Sequence, residues 1–472
     1  MAGGFGSTGG GAGGVESAVS ESRCWGWLMQ LGEITDPARP WTRTAFSERH
    51  GLGREFLSGR MRELGLTTHI DAAGNLIGRR EGSDPSAGTI MIGSHSDTVV
   101  GGGRFDGIAG VIAGLEIAAA LQDSGTRLRH SLEIVDFLAE EPNEFGLSCV
   151  GSRGMAGALD GEMLGRRNRA GVTLREGLVA AGAGGGDSGV DGGAGADGRV
   201  GTGGVANSGG PARTGGGGGT SGPTEAGAVS VGAARRGDVV AFFELHIEQG
   251  PVLEAQKRDV GVVTHIAGIR RLALTFKGQA AHAGTTPLDL RQDALVAASR
   301  FILDLRAALE SRPESRRLVI ATVGEIHVAP NAPNVVPGEA RIVVDLRSDA
   351  SEELVTWTDR IRSLAEQAVS GTRVTFADCR LLSATEPTTC APALAAHLRE
   401  AARELGLQQQ DIVSGAGHDA AFLSQIAPAA MLFVPSRDGM SHCAEEWTDS
   451  DALAKGVAAV LCAVRAFDSE RA

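Results

Sequence analysis

The chain has 472 residues, enough for two or three domains of ordinary size, and a formal net charge of −13. This negative charge excludes nucleic acid and anionic membrane surfaces as expected partners, because both require a basic face on the protein. The sequence also lacks an apolar run long enough to span a bilayer and a basic, apolar leader, so we expect a cytoplasmic protein.

Two segments are too rich in glycine to form a packed core. They are residues 1–14, MAGGFGSTGGGAGG, and residues 181–237, which contain almost no large apolar side chains. Burial of so little apolar surface cannot offset the entropy lost on ordering the chain. We therefore predict that both segments are disordered and that 181–237 is a flexible insert.

The block from 86 to 157 has the alternation of a βαβ unit. TIMIGSH predicts a buried strand, residues 107–122 predict a helix of small and apolar residues, and HSLEIVDFL predicts the next strand. Functional residues of such folds lie at the carboxyl ends of the parallel strands, where His95, Glu140 and Glu141 are expected. Neighbouring strand residues point to opposite faces, so the two adjacent glutamates should have different surroundings.

Residues 267–384 follow a different pattern, with strands and helices in the order βαββαβ. This is the ferredoxin-like order, and it predicts a small sheet whose edge strands can pair with a second subunit. Its first helix is expected to begin at Pro287. Residues 385–472 return to alternating helix and strand and should complete the first sheet. The predicted architecture is an α/β catalytic domain, residues 15–266 and 385–472, with an inserted α+β lid.

Several predicted strands end in residue types that bind metals. His95 and Asp106 lie in GSHSDTVVGGGRFDGIAG, where Asp97 could orient a metal-bound imidazole and a helix dipole favours ionised Asp106. His246 ends another apolar strand, and His442 follows MLFVPS. Each histidine alone could equally be a packed or solvated side chain. Imidazole and carboxylate ligands together suit Zn²⁺, and a bridging carboxylate permits a two-metal site.

Seven motifs, in order along the chain, resemble those of the hydantoinase/carbamoylase family of amidohydrolases, within the wider dinuclear-zinc M20 peptidase group. They are GSHSDTVVGGGRFDGIAG, AEEPNEFGLSCVGSRGMAG, ELHIEQGPVLE, GQAAHAGTTPLDLRQDA, NAPNVVPGEARIVVDLRS, SGAGHDAAF and SRDGMSHCAEEWTD. The resemblance covers the chain from about residue 25 onward, apart from the glycine-rich insert. It implies a zinc-peptidase-like catalytic domain and a homodimer formed through the lid.

The resemblance implies two divalent ions per subunit, with Zn²⁺ favoured and Mn²⁺, Co²⁺ or Ni²⁺ as alternatives. The implied ligands are His95 and His246 at one ion, Glu141 and His442 at the other, and Asp106 bridging both. Glu140 would then be the general base, which takes a proton from the attacking water and delivers it to the leaving nitrogen.

The resemblance also implies residues that contact the substrate. His282, in AAHAGTTP, would stabilise an oxyanion in the active site of the partner subunit, aided by the helix expected after it. The guanidinium group of an arginine is the group expected to bind a substrate carboxylate. The implied substrate-binding residues are Arg271, Asn334, Arg347, Gly415 and Ala416.

The implied reaction is hydrolysis of the ureido C–N bond of an N-carbamoyl-L-amino acid to amino acid, CO₂ and ammonia. Allantoate amidohydrolase and ureidoglycolate hydrolase activities stay open, because they need the same metals, base and carboxylate clamp. A peptidase or aminoacylase is disfavoured by His246, where other branches of the group place an acid. An inactive binding homologue would lack a ligand or the base, and none is missing. Cys149 is expected to be a buried thiol, since its sequence neighbours provide no activating group for a nucleophile.

Overall fold

A computed structural model describes residues 18–184, 235–313 and 317–470 of the chain. The segments predicted to be disordered, 1–14 and all but the ends of 181–237, lie outside the described residues. No helix in the described ranges is both long and apolar enough to cross a membrane.

The secondary structure alternates helix and strand along most of the chain. The α-helices are α1 Glu21–Gly32, α2 Glu48–Glu63, α3 Ile108–Asp123, α4 Val150–Ala156, α5 Gly161–Gly165, α6 Leu174–Ala180, α7 Val252–Ala255, α8 Ala294–Glu310, α9 Ser351–Val369, α10 Pro392–Glu404, α11 Ala420–Leu423 and α12 Ser450–Glu470. The strands are β1 Thr67–Ile70, β2 Leu76–Arg80, β3 Thr89–His95, β4 Ser131–Phe137, β5 Val239–Ile247, β6 Val260–Ile266, β7 Gly268–Lys277, β8 Ala281–His282, β9 Val319–Ala329, β10 Val335–Val336, β11 Glu339–Ser348, β12 Thr375–Thr385, β13 Thr388–Thr389, β14 Gln409–Ser414 and β15 Ala429–Val434.

A nine-stranded mixed sheet has the order β1-β2-β4-β3-β5-β15-β6-β13, with β14 paired to β6. Its central strands β4, β3, β5 and β15 are parallel to their neighbours in this run. The predicted unit of β3, α3 and β4, with parallel strands, is confirmed. The carboxyl ends of four strands consequently open at one edge of the sheet, the usual place for a site in such folds.

Alternate side chains of the central strands pack on opposite faces of the sheet. Ile90 and Ile92 of β3 and Phe243 of β5 join a buried cluster with α3, α10 and α12. Met91 and Phe242 join a second cluster with α4 and α11 on the other face. Because both faces are covered, these strands are nearly continuous apolar runs in the sequence.

A second sheet is antiparallel and has four strands in the order β12-β7-β11-β9. Helices α8 and α9 cover one face, where Phe301 and Ile361 pack on Phe276 and Ile342. The strand β9 pairs with β11 alone among the described strands and is largely exposed. It is therefore an open edge of the sheet.

The prediction that the helix after His282 begins at Pro287 is wrong. Pro287 precedes a single 3₁₀ turn at Leu288–Leu290, and α8 begins only at Ala294. Asp293 caps α8, because its carboxylate accepts two backbone N–H groups of the first turn. The polar cap thus prevailed over the preference of proline for the first helical position. His282 is not followed directly by a helix whose dipole could aid it.

Candidate metal centre

Four neighbouring parallel strands bring the predicted ligands to one edge of the large sheet. His95 is the last residue of β3, and His246 is the penultimate residue of β5. Glu140 and Glu141 follow the end of β4, and His442 lies in the loop after β15. The structure brings these residues together.

Asp106 joins the ligands into two groups. Its Oδ1 lies 3.2 Å from His246 Nε2 and 3.7 Å from His95 Nε2. Its Oδ2 lies 3.0 Å from His442 Nε2, which is also 3.2 Å from Glu141 Oε1. Each group offers three ligand atoms close enough to share one ion. One carboxylate therefore contributes one oxygen to each group, as a carboxylate that bridges two metals must.

The charges at the cluster fit a bound cation. Hydrogen bonds to Asp106 and Glu141 raise the pKa of His442 to about 11. Although burial acts in the other direction, Asp106 raises the pKa of His246 to about 9. Within the described residues, no lysine or arginine pairs with Asp106 or Glu141. The carboxylates thus draw onto His246 and His442 the positive charge that a divalent ion would supply, whereas burial lowers the pKa of His95.

Asp97 acts on the loop of the paired glutamates. Its two carboxylate oxygens accept the backbone N–H groups of Glu140, at 3.2 Å, and Glu141, at 3.1 Å. The expected contact to the ring of His95 is made instead by the main-chain oxygen of Asp97, 3.0 Å from Nδ1, while the carboxylate is 3.7 Å away. The carbonyl fixes the ring with Nε2 toward the cluster, and the side chain fixes the glutamates.

Glu140 and Glu141 do not belong to a strand, so the alternation of strand side chains does not explain their separation. β4 ends at Phe137, and Ala139 has a left-handed φ of 56°. The turn, held by Asp97, sends the Glu141 carboxylate toward His442 and leaves the Glu140 carboxylate on the His95 side. The predicted difference in surroundings holds, although its predicted cause was wrong.

Glu140 is buried beside the cluster without joining either ligand group. Its Oε2 lies 3.6 Å from His95 Nε2, and its Oε1 accepts a hydrogen bond from the thiol of Cys149 at 3.2 Å. Burial raises the pKa of Glu140 well above its usual range, and the neighbouring charge of Glu141 raises it further. A carboxyl with a raised pKa next to metal ligands is suited to proton transfer. Cys149 is buried, as expected.

Gln249 is absent from the predicted residues but contacts the carboxylate of Asp106. Its Nε2 donates to Asp106 Oδ2 at 2.6 Å, while its Oε1 is buried without a partner among the described residues. A buried amide oxygen without a donor is costly, so this atom suits a ligand that brings an N–H group. Its position three residues after His246, in HIEQG, could have drawn attention to it.

Gly107 leaves room for the ring of His95. Its φ is +67°, and a Cβ at this position would overlap the imidazole. We expect Gly107→Ala to lower the free energy of unfolding by at least about 1–2 kcal/mol through the left-handed backbone alone, and to lower the content of bound Zn²⁺ by displacing His95. Urea unfolding and metal analysis of the dialysed protein measure the two effects.

Gly125 provides the matched control for this substitution. Its φ is +66°, but a Cβ there would have nothing within 4 Å. Gly125→Ala should therefore lower the free energy of unfolding through its left-handed backbone alone, and it should keep its bound metal. Equal metal contents in the two variants would contradict the proposed role of the space at Gly107.

His282 and Asn334 are neighbours of each other. β8 pairs with β10, and the N–H of Ala283 donates to the main-chain oxygen of Asn334 at 2.9 Å. His282 is exposed, and its Nδ1 accepts the N–H of Gly284 at 3.1 Å. In the described part of the chain, no hydrogen bond or ion pair connects either residue with the ligand cluster.

The two predicted arginines converge on one carboxylate of the small sheet. Arg347 Nε lies 2.7 Å from Asp345 Oδ1, and Arg271 Nε lies 3.1 Å from Asp345 Oδ2. Arg347 also donates from Nη1 to the main-chain oxygen of Gly415 at 2.8 Å. Ala416, the next residue, donates its N–H to Ser414 Oγ. Arg347 thus links the small sheet to the loop predicted to lie near the substrate.

Residues 65–466 match the model of a family described as peptidase family M20/M25/M40. Over 442 residues the chain is 37% identical to an N-carbamoyl-L-amino-acid amidohydrolase from Paenarthrobacter aurescens, covering 93% of this chain and 96% of that protein. It is 32% identical over 437 residues to an allantoate amidohydrolase from Bacillus subtilis, covering 92% and 94%. A hydantoinase/carbamoylase family amidase from Burkholderia multivorans has a crystal structure with a TM-score of 0.79 and 34% identity, covering 95% and 98%. The matched range includes every strand of the described residues and all residues of the candidate ligand cluster.

Proposed function

We propose that this chain, which belongs to peptidase family M20/M25/M40, hydrolyses the ureido C–N bond of an N-carbamoyl-L-amino acid to amino acid, CO₂ and ammonia. The observation that carries this proposal is the carboxylate of Asp106, shared between two ligand groups, beside the buried carboxyl of Glu140. The identity of 37% to a carbamoyl amino acid hydrolase, against 32% to an allantoate hydrolase, supports the choice of substrate.

Two divalent ions would be bound at this cluster. His95 and His246 would hold one ion, Glu141 and His442 the other, with Asp106 contributing to both. Zn²⁺ is favoured by the mixture of imidazole and carboxylate, and Mn²⁺, Co²⁺ or Ni²⁺ accept the same ligand types. When bound, such ions supply Lewis acidity, which polarises the ureido carbonyl and makes water more acidic.

Glu140 would move the proton. The thiol of Cys149 occupies Oε1, so Oε2 is the oxygen left to face the cluster and the attacking water. It would accept a proton from that water and deliver it to the nitrogen that leaves the ureido carbon. Gln249 Oε1, buried and without a partner in the described residues, is placed to accept an N–H of the ureido group.

We infer that residues 267–384 form a ferredoxin-like lid and dimerisation domain, inserted into a catalytic domain of residues 15–266 and 385–472. The strand order of the small sheet and the open edge of β9 support this division. His282 is exposed and does not contact the cluster of its own subunit, as expected of a residue that acts in the partner's site. There it would stabilise the oxyanion that forms on the ureido carbonyl.

The substrate carboxylate would be bound by the arginine and amide groups of the lid. Arg347 already reaches the oxygen of Gly415, next to Ala416, and Asn334 lies beside His282. The shared Asp345 holds the guanidinium groups of Arg347 and Arg271 in place, and a carboxylate ligand would compete for the same donors. These residues are the proposed substrate-binding residues.

Release of ammonia from a panel of compounds tests the proposal. The panel contains several N-carbamoyl-L-amino acids, their D-enantiomers, allantoate and ureidoglycolate; for dipeptides, whose hydrolysis releases no ammonia, the new free amino group is measured instead. We expect the N-carbamoyl-L-amino acids to react fastest, the activity to vanish after chelation, and Zn²⁺, Mn²⁺, Co²⁺ or Ni²⁺ to restore it. Activity that survives complete metal removal would refute the mechanism, and faster turnover of allantoate or ureidoglycolate would reassign the substrate.

Mixed dimers test whether His282 acts in the partner's site. Glu140→Gln and His282→Ala are each expected to be nearly inactive, yet a mixed dimer would contain one site with both native residues. Random re-association of equal amounts should therefore restore about a quarter of the native activity, since half of the two-fold dimers are mixed. The control mixes Glu140→Gln with His95→Ala, whose residues lie in the same subunit's site, and should restore nothing. No recovery in the first mixture would place His282 outside the partner's site.

A further inference from the structure

We infer that Glu446 is a positioning residue that fastens the loop bearing His442 to the turn bearing Asp106. It would thereby set the geometry of the second ligand group, formed by Asp106, Glu141 and His442. The inference rests on the proposed two-ion function and deepens it.

His442 needs such support because its loop is exposed. Its side chain is 48% exposed, against 2% for His95 and 1% for His246, which lie in buried strands. His442 also has a left-handed φ of 57°, which a non-glycine residue rarely adopts. A loop side chain loses conformational entropy when it is held in one place, so contacts outside the strand must fix it.

The carboxylate of Glu446 makes those contacts. Its Oε1 accepts the backbone N–H groups of Phe105, at 2.8 Å, and Asp106, at 3.1 Å. Its Oε2 accepts the hydroxyl of Ser441, the residue before His442, at 2.9 Å. One side chain thus connects the main chain of the bridging acid with the neighbour of the exposed ligand.

The space around Glu446 is shaped for this carboxylate. It is 1% exposed, and a Cβ at Gly103 would overlap its carboxylate oxygens. The next residue, Trp447, packs edge-on against Phe105 with ring centres 5.5 Å apart, and the guanidinium of Arg104 lies 4.9 Å from the Trp447 ring. The hydrogen bonds and the aromatic packing therefore hold the same two segments together.

Ser441 links the hydrogen bonds of Glu446 directly to the carboxylate of Asp106. Its Oγ lies 2.9 Å from Asp106 Oδ2 and 2.9 Å from Glu446 Oε2. The single hydroxyl proton can serve one of these oxygens at a time. Movement of Glu446 would consequently release both the main chain of Asp106 and the hydroxyl beside its side chain.

Glu445 offers a matched control. It is chemically identical to Glu446 and adjacent in the chain, but it is exposed. A general effect of one acidic charge in this loop would appear in both substitutions. An effect of the hydrogen bonds would appear at Glu446 alone.

Titration of the chelated full-length chain with Co²⁺, followed by visible absorption, tests the inference. We expect about two Co²⁺ ions per subunit for the unaltered chain and for Glu445→Ala. In Glu446→Ala the second Co²⁺ should bind at least about tenfold more weakly, the lower bound for loss of an outer-sphere partner of a metal ligand. Glu446→Gln should bind nearly normally, because the amide oxygen can accept both N–H groups and its NH₂ can donate to Ser441.

Other results would overturn the inference. The first is an affinity of Glu446→Ala for the second Co²⁺ within about twofold of that of Glu445→Ala. The second is an affinity of Glu446→Gln for this ion as low as that of Glu446→Ala, which would leave charge as the cause. If Glu446→Ala does not fold, Ser441→Ala tests the same contact from the other side and should also weaken the second Co²⁺; normal binding there would refute it. Fewer than two ions on the unaltered chain would instead refute the proposed two-ion site, and the role of Glu446 with it.

Discussion

Replacement of Glu140 by glutamine is expected to lower kcat for ureido hydrolysis by about 10²- to 10⁴-fold, the usual contribution of a general base. An amide cannot accept the proton of the attacking water. The substitution keeps the shape of the side chain, and its oxygen can still accept the thiol of Cys149. Because Glu140 belongs to neither ligand group, the variant should retain its metal. Steady-state kinetics together with metal analysis of the same preparation measure both effects.

Glu144→Gln is the control for this prediction. Glu144 lies in the same loop, is exposed, and accepts a hydrogen bond from Asn168 Nδ2 that an amide oxygen could also accept. Its variant should keep turnover within about twofold, as surface substitutions usually do. Near-normal turnover in Glu140→Gln would assign the base elsewhere. Loss of metal from that variant would make Glu140 a ligand.

The meeting of the ligands could be predicted because it depends on topology. His95 and His246 end buried apolar strands, and parallel strands place their carboxyl ends at one edge whatever the details of packing. The roles of Glu140 and Glu141 could not be derived in this way. The placement of their carboxylates depends on the left-handed turn at Ala139 and on the two hydrogen bonds that Asp97 accepts from their backbone N–H groups, and both are tertiary features.

The arginines of the small sheet make a contact that the sequence pattern could not predict. Arg271 and Asp345 face each other because β7 and β11 pair in one register, and a shift of one residue would turn the side chains of one strand to the opposite face from those of the other. The pairing of Arg271 and Arg347 with a single acid was therefore not visible in the strand pattern. Glu446 was equally hidden, since its partners Phe105 and Asp106 lie about 340 residues earlier in the chain.

Replacement of Asp106 by asparagine is expected to remove both metal ions and to lower kcat/KM by at least about 10³-fold, since metal ions contribute several kcal/mol and each 1.4 kcal/mol is tenfold. Asp106 supplies one oxygen to each ligand group, whereas His442 belongs to one group only. His442→Ala should therefore lose one ion and Asp106→Asn two. Metal analysis after dialysis distinguishes the two outcomes, and equal losses would contradict a bridging role.

Asp106→Asn also distinguishes a loss of metal binding from a loss of folding. A ligand that binds only the native state stabilises it by RT ln(1 + [L]/Kd), about 4 kcal/mol at a concentration of 1,000 Kd. Zn²⁺ should thus raise the unfolding midpoint of the unaltered chain and leave that of Asp106→Asn unchanged. Asp123→Asn, at the other end of α3 in a surface pair with Arg23, should respond to Zn²⁺ as the unaltered chain does. A full Zn²⁺ response in Asp106→Asn would show that the ions bind without the shared carboxylate, and the two-ion centre proposed for this edge of the sheet would have to be abandoned.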